Sequence, residues 1–112
     1  MQALAQGLCD AGITVRHETV RRPEALRYPA MRDGQIEKLV ASYDFLEREW
    51  ADGALDRPVD LGQIALATAL DWLAFRALPD FEQGRPRLSA WYRRFLQRPS
   101  MLATTFAGQT VD

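Results

Sequence analysis

The most apolar stretch of the chain runs from residue 61 to residue 78, where most positions are hydrophobic. Asp60 stands immediately before this stretch and Gln63 three residues later, which is the spacing of a helix N-cap residue and its N3 partner. The pattern predicts a helix over about residues 60–78, capped by the Asp60 side chain. Because a helix without a polar face is normally enclosed by other helices, we expect this one to be buried at the centre of the fold.

A second helix is predicted over about residues 31–52 from an apolar stripe at helical spacing. The stripe consists of Ile36, Leu39, Val40, Tyr43, Leu46 and Trp50. Charged residues occupy the positions between its members, as expected for a helix with one face on a core. Two acidic pairs, Glu47 with Glu49 and Asp80 with Glu82, are expected on solvated surface.

Three further helices complete the pattern, over residues 3–19, residues 87–97 and, opened by Pro99, residues 99–105. The inward positions are Leu4, Leu8, Ala11 and Val15 in the first of these, and Leu88, Trp91, Tyr92 and Phe95 in the second. No capping residue precedes the first helix. No stretch shows the alternation of a β-strand, so we predict a single all-α domain over residues 1–112, a bundle of about five helices.

The composition fits one folded domain and excludes several classes of protein. The chain has 112 residues, is 47% hydrophobic and carries a net charge of −1, so it is neither disordered nor strongly basic. No apolar run reaches the roughly 18 residues of a membrane-spanning helix, and no signal peptide opens the chain. One cysteine and one histidine are too few for an ordinary zinc site. We expect a cytoplasmic protein that binds no metal, membrane or nucleic acid.

Few residues are placed for chemistry. Cys9 follows Leu8 on the first helix, and its position fits either a small buried side chain or a thiol that faces a pocket. His17 and Glu18 are adjacent in sequence, which favours a surface pair over a catalytic one. Arginines alternate with aromatic residues over residues 85–98, as in some nucleic-acid-binding proteins. Core packing of the aromatics and compensation of a helix C-terminus by the arginines explain this pattern better.

Four stretches resemble the C-terminal helical domain of bacterial glutathione S-transferases. They are VDLGQIALA at residues 59–67, LDWLAFR at 70–76, RPRLSAWY at 85–92 and RPSM at 98–101, followed by Thr104. Weaker similarity extends back through Tyr28-Pro29 and the first two helices, so nearly the whole chain is covered. The family has Ser or Thr at the N-cap of the buried helix and Asp three residues later, where this chain has Asp60 and Gln63. We expect the cap to survive, because Asp60 keeps an acceptor and the Gln63 amide can reach back to it.

The resemblance implies a part in conjugating glutathione, the family's co-substrate, to electrophilic small molecules. In the family a thioredoxin-like domain holds and activates glutathione, and nothing in these 112 residues stands in for that domain. We therefore expect the chain to carry no cofactor and to be inactive alone, and whether it acts as an enzyme stays open. The alternative is a stand-alone helical module for protein–protein assembly without catalysis.

The resemblance also implies where a co-substrate and a partner would lie. The family's helical domain lines the site of the hydrophobic co-substrate with its first helix and its last residues, which here are Cys9, Ile13, Arg16 and Phe106. Simple packing of Ile13 and Phe106 is the alternative. The first two helices form much of the family's dimer interface, so a homodimer is expected through Leu4, Leu8, Tyr28 and Met31. The other expected partner is the thioredoxin-like domain or a protein in its place.

Overall fold

The computed structural model describes residues 1–54 and 57–107. These residues form the α-helices α1 (Gln2–Arg16), α2 (Pro29–Phe45), α3 (Leu61–Phe75), α4 (Pro86–Phe95) and α5 (Pro99–Ala103). Single π-helical turns, His17–Arg21 and Leu46–Trp50, extend α1 and α2, and a short 3₁₀ turn covers Glu24–Leu26. No strand occurs in the described part of the chain. The prediction of an all-α bundle of about five helices is confirmed.

Helices α1 and α3 run parallel and approach each other closely. A Cβ atom placed on Gly62 would lie 3.1 Å from the Met1 Cβ, so the two helices begin at the same end. A Cβ atom on Gly12 would lie 2.8 Å from Leu73 Cδ2, so their later turns are also in contact. Since any real side chain at Gly12 would meet α3, this glycine permits the close packing of the two helices.

The core is built around the inner face of α3. Its fully buried leucines are Leu66, Leu70 and Leu73. Helix α1 packs against both α2 and α3 and supplies Ala5, Leu8, Ala11 and Val15. Leu39, Tyr43, Leu46 and Trp50 come from α2 and its π-helical turn, and Leu88, Trp91, Tyr92 and Phe95 from α4. The inward positions predicted for α4 are therefore confirmed, whereas Val40 of the predicted α2 stripe is 37% exposed because it lies at the edge of that stripe.

Helix α3 ends at Phe75, three residues before the predicted boundary. Ala77 adopts the left-handed conformation with φ of 53°, which stops the helix. The N–H groups of Ala77 and Leu78 donate to the carbonyls of Ala74 and Leu73, at 3.1 and 3.0 Å. This pair of bonds is a Schellman motif, normally closed by glycine, and the alanine at its left-handed position conceals it in the sequence.

A long-range cap fixes the start of α4. The Glu47 carboxylate accepts hydrogen bonds from the backbone N–H groups of Arg87 at 3.1 Å and Leu88 at 2.7 Å. These are among the amide donors that a helix N-terminus leaves without partners, and a negative charge there also complements the helix dipole. The expectation that Glu47 is solvated surface is wrong, since its side chain is 13% exposed and joins the end of α2 to α4.

Candidate functional site

Three of the four predicted co-substrate residues share one face of α1. Cys9, Ile13 and Arg16 are spaced i, i+4 and i+7, which places them in a row along the helix. Because α1 and α3 run parallel, this row lies beside the later turns of α3 rather than its start. Ile13 is 40% exposed, and Cys9 is half-buried with its side chain packed against the core. The row therefore combines accessible apolar surface with a terminal arginine.

The environment of Cys9 makes it a poor nucleophile. Burial raises the pKa of the Cys9 thiol above its ordinary value, and the neighbouring Asp10 carboxylate raises it further. A thiol whose anion is disfavoured stays protonated at neutral pH and reacts slowly with electrophiles. Any role of Cys9 in binding is therefore that of an apolar wall, not of a reactive group.

The fourth predicted residue, Phe106, lies at the far end of α3. Its ring stacks on Phe75 with centroids 5.6 Å apart and an interplanar angle of 27°. The Arg76 guanidinium lies over the same Phe75 ring, 4.8 Å from its centroid. Phe75 is the last residue of α3, so Phe106 and the α1 row lie toward the same end of the bundle. Among the described residues, the ring contact of Phe106 is with α3 and not with α1.

The segment between α1 and α2 is organised by a buried carboxylate. Glu18 is 5% exposed and accepts hydrogen bonds from the Arg22 guanidinium at 2.8 Å and from the Tyr28 backbone N–H at 2.5 Å. These bonds tie both ends of residues 22–28 to the π-helical turn. The predicted surface pair of His17 with Glu18 is therefore wrong for Glu18. The spacing of four residues to Arg22 is the one signal for this interaction that the sequence contains.

The start of α3 carries the expected hydrogen bond and one unexpected bond. Asp60 Oδ1 accepts from the Gln63 backbone N–H at 2.8 Å, which is the N-cap interaction. The Gln63 side chain does not return to Asp60, as a capping box would require, but donates to the Pro58 carbonyl at 3.0 Å. Gln63 is 3% exposed, so this bond satisfies a buried amide and anchors the preceding loop to α3.

A groove of about 350 Å³ lies beside this end of α3. The side chains that determine its character are Arg57, Gln63, Trp91, Arg94, Phe95 and Arg98. The sequence pattern predicts core positions for Trp91 and Phe95 and a helix end for Arg94 and Arg98, and it does not indicate that Arg57 lies beside them. Arg57 in the loop precedes Trp91 of α4 by 34 residues, so only the fold joins them.

Among the described residues, none of the helices is long and apolar enough to cross a membrane. Residues 1–54 and 57–107 also contain no group of three or more His, Cys, Asp or Glu side chains that could hold a metal ion.

Comparison with known proteins agrees with this architecture. The family model of the C-terminal domain of glutathione S-transferase matches residues 19–94. A glutathione transferase family member from Pseudomonas fluorescens Pf-5, solved with bound S-(propanoic acid)-glutathione, is 39% identical over 98% of this chain, with a TM-score of 0.83. A second structure of a glutathione transferase family member from Pseudomonas fluorescens Pf-5, with bound glutathione, is 40% identical over 93% of this chain, with a TM-score of 0.82. No curated protein sequence matches the chain significantly.

The chain spans between half and three-fifths of the length of these relatives, 57% of the first and 51% of the second. The family match covers all of α2 and α3 and nearly all of α4, which together contain most of the core. The helical bundle, the resemblance noted in the sequence and the structural neighbours thus agree. The chain belongs to the glutathione S-transferase family, and the part of that family it matches is the C-terminal domain.

Proposed function

We propose that the chain is the helical half of a glutathione transferase and that its α1 row lines the site of an electrophilic co-substrate. The observation that carries the proposal is the likeness, at 39–40% identity, to structures with glutathione or a glutathione adduct bound. The row of Cys9, Ile13 and Arg16 offers apolar surface at the end of the bundle where Phe106 also lies. Such a surface positions an electrophile but supplies no activated thiol.

The outer face of α3 supports a domain partner. Leu61 is 65% exposed and Ile64 is 43% exposed, and Val59 just before the helix is 42% exposed. Exposed apolar side chains grouped on one helix indicate a surface that another structure covers. In the proposed function this partner is a thioredoxin-like domain, which holds glutathione. The described residues contain no strand, so they do not include that domain.

Calorimetric titration of glutathione into the 112-residue chain tests whether glutathione binding belongs to the partner domain and not to this chain. We expect no binding at millimolar glutathione and no turnover of 1-chloro-2,4-dinitrobenzene, because the groups that activate the thiol belong to the partner domain. Saturable binding or measurable turnover by the chain alone would contradict this part of the proposal.

A chimera tests the role of the α1 row. The glutathione-binding domain of the Pseudomonas fluorescens relative would be fused ahead of residues 1–112, and turnover of 1-chloro-2,4-dinitrobenzene measured. We expect Ile13→Ala to raise KM for the electrophile and leave KM for glutathione unchanged. Val40→Ala is the matched control, because Val40 is 37% exposed against 40% for Ile13 but lies on α2. A chimera that binds glutathione and shows no turnover would favour the assembly module instead.

A homodimer through the first two helices forms part of the same proposal. Tyr28 is 61% exposed and Met31 is 43% exposed, which supports an interface at the start of α2. Leu8 is 2% exposed and packs within the chain, so the expectation that it takes part in the interface is wrong. Sedimentation equilibrium should show a dimer that Met31→Arg weakens and Leu102→Arg, an equally apolar exposed site on α5, does not. A monomer at all concentrations would contradict the dimer.

A further inference from the structure

A glutamate follows the end of α1 in the same way as another follows the end of α2. Glu18 is the second residue of the π-helical turn His17–Arg21, and Glu47 is the second residue of the π-helical turn Leu46–Trp50. Both carboxylates accept hydrogen bonds from backbone N–H groups at the start of a later helix, α2 for Glu18 and α4 for Glu47. Since π-helical turns are rare and frequent at functional sites, this repeat indicates that each turn positions a particular segment.

The two glutamates differ in what they hold. Glu47 joins α2 to the core helix α4, about 40 residues later in the chain. Glu18 binds only the segment that follows α1, through the Arg22 guanidinium at 2.8 Å and the Tyr28 backbone N–H at 2.5 Å. Residues 22–28 are called the strap, and none of them is buried. A buried carboxylate at Glu18 therefore orders a surface segment that adds no side chain to the core.

The strap is also braced by bonds within itself. The Leu26 N–H donates to the Pro23 carbonyl at 2.9 Å, and Arg27 Nε donates to the Arg22 carbonyl at 2.8 Å. These bonds give the strap its shape. The two bonds of Glu18, one near each end, set the position of that shape against the end of α1.

The segment that Glu18 orders presents apolar side chains to solvent. Leu26 and Tyr28 of the strap are 67% and 61% exposed, and Val20 of the adjoining π-helical turn is 59% exposed. An ordinary surface loop carries mainly polar side chains, and apolar ones grouped on a surface indicate that another chain covers them. The strap therefore combines a fixed backbone with an apolar outer surface, as expected of an interface.

The charges around the strap favour a second copy of the chain as the partner. Arg21, Glu24 and Arg27 lie on or beside the strap, so its surface carries both signs. In a two-fold interface the same surface meets itself, and a residue that contacts another is contacted by it in return. The Glu24 carboxylate of each copy can therefore face an arginine of the other, whereas a surface of one sign would repel its copy. The strap also adjoins Met31, which is exposed and belongs to the proposed dimer interface.

We propose that Glu18 is a positioning residue for the homodimer, because its carboxylate holds the strap so that Val20, Leu26 and Tyr28 form a preformed surface for a second copy. The inference rests on the dimer of the proposed function and places the strap at its centre. Without the Glu18 bonds, association has to order the strap first, and the entropy of that ordering lowers the affinity. Glu18 thus acts on association more than on the stability of the bundle.

Amide hydrogen exchange in a monomer measures the order of the strap by itself. In the 112-residue chain with Met31→Arg, which weakens the dimer, adding Glu18→Gln should speed exchange of the Tyr28 amide about fivefold or more, because a charge-assisted bond is lost. Glu49→Gln is the matched control, since Glu49 is an exposed glutamate of the other π-helical turn and should leave that rate within about twofold. The amide of Leu70, in the core, should keep its protection in both variants.

Sedimentation equilibrium then measures association with Met31 in place. Glu18→Gln should raise the dimer dissociation constant about fivefold or more, and Glu49→Gln should leave it within about twofold. Leu26→Ala should raise it by a similar factor, whereas Leu102→Ala, at a 58% exposed leucine of α5, should not. Combining Glu18→Gln with Leu26→Ala should cost less than the two separate losses multiplied, because a released strap no longer presents Leu26.

The contrary results are distinct. Unchanged exchange at Tyr28 in Glu18→Gln, or faster exchange at Leu70 as well, would overturn the positioning role, because Glu18 would then hold nothing or hold the core. Equal losses in Leu26→Ala and Leu102→Ala, or fully multiplicative losses in the double variant, would overturn the strap as the interface. A dimer unaffected by Glu18→Gln would overturn this inference alone. A chain that is monomeric at all concentrations would overturn the proposed dimer and this inference together.

Discussion

Helix α3 has two apolar faces with different surroundings. On its inner face Leu66, Leu70 and Leu73 are fully buried, whereas on its outer face Leu61 is 65% exposed and Ile64 is 43% exposed. Side chains of the same kind therefore have different roles on the two faces. The inner face holds the bundle together, and the outer face is surface available to a partner. The comparison shows that hydrophobicity alone does not tell which face of such a helix forms the core of an isolated domain.

The largest expected effect compares one leucine from each face. Leu70→Ala should lower the free energy of unfolding by about 2–5 kcal/mol, because it removes a fully buried side chain and leaves a cavity. Leu61→Ala should change it by less than about 1 kcal/mol, because most of that side chain is already in water. Chemical denaturation of both variants measures the difference. The slope of the free energy of unfolding against denaturant concentration should be the same for both.

Similar losses in the two leucine variants would contradict the two-face description. If Leu61→Ala alone were strongly destabilising, the isolated chain would have to cover its outer face, for example by self-association. Repeating the denaturation at several protein concentrations would detect this, because the stability of an associated state depends on concentration.

Substitutions at two glycines of α1 test whether close packing at Gly12 holds this helix against the inner side of α3. Gly12 has no room for a Cβ atom beside Leu73, whereas Gly7 of the same helix has nothing within 4 Å. Both Gly→Ala substitutions gain the same helix propensity, so their difference isolates the crowding. Gly12→Ala should be less stable than Gly7→Ala by about 1–3 kcal/mol, as measured by denaturation. Equal stabilities would mean that α1 can move away from α3 without cost.

Local signals in the sequence were sufficient to predict much of the fold. The Asp60 cap, the start of α5 at Pro99 and the inward row of α4 depend on residues within one or two turns, and the structure shows each of them. The bonds of Glu47 to α4 join positions about 40 residues apart, and no local pattern indicates them. Which face of α3 is buried also depends on where α1 packs, a choice that periodicity cannot make in a helix this apolar.

The candidate site shows the same contrast between local signals and contacts that form only in the folded chain. Helical spacing alone places Cys9, Ile13 and Arg16 in one row, and the resemblance to a family gave the row its proposed role. The contact of Phe106 with Phe75 and the meeting of Arg57 with α4 arise from loops that only the folded chain brings into place. The sequence therefore predicts the α1 surface but not the groove beside the start of α3, whose members are separated in sequence but adjacent in space.

The smallest expected effect concerns the point at which α3 ends. Ala77 holds a left-handed conformation, with φ of 53°, that costs an L-residue about 1–2 kcal/mol. Glycine avoids this cost but makes the unfolded chain more flexible, which lowers the free energy of unfolding by about 0.5–1 kcal/mol. Ala77→Gly should therefore raise the free energy of unfolding by about 0.5–1 kcal/mol, measured by thermal or chemical denaturation.

Ala41→Gly is the control for this substitution, because Ala41 is exposed within α2, where the same change should lower stability by about 1 kcal/mol. Opposite signs at the two alanines would locate the end of α3 at Phe75 and explain why the helix stops before Leu78. If both variants lost stability, Ala77 would have to be helical in solution. The inner face of α3 would then extend to Leu78, and the surface beside Phe75 and Phe106 would change with it.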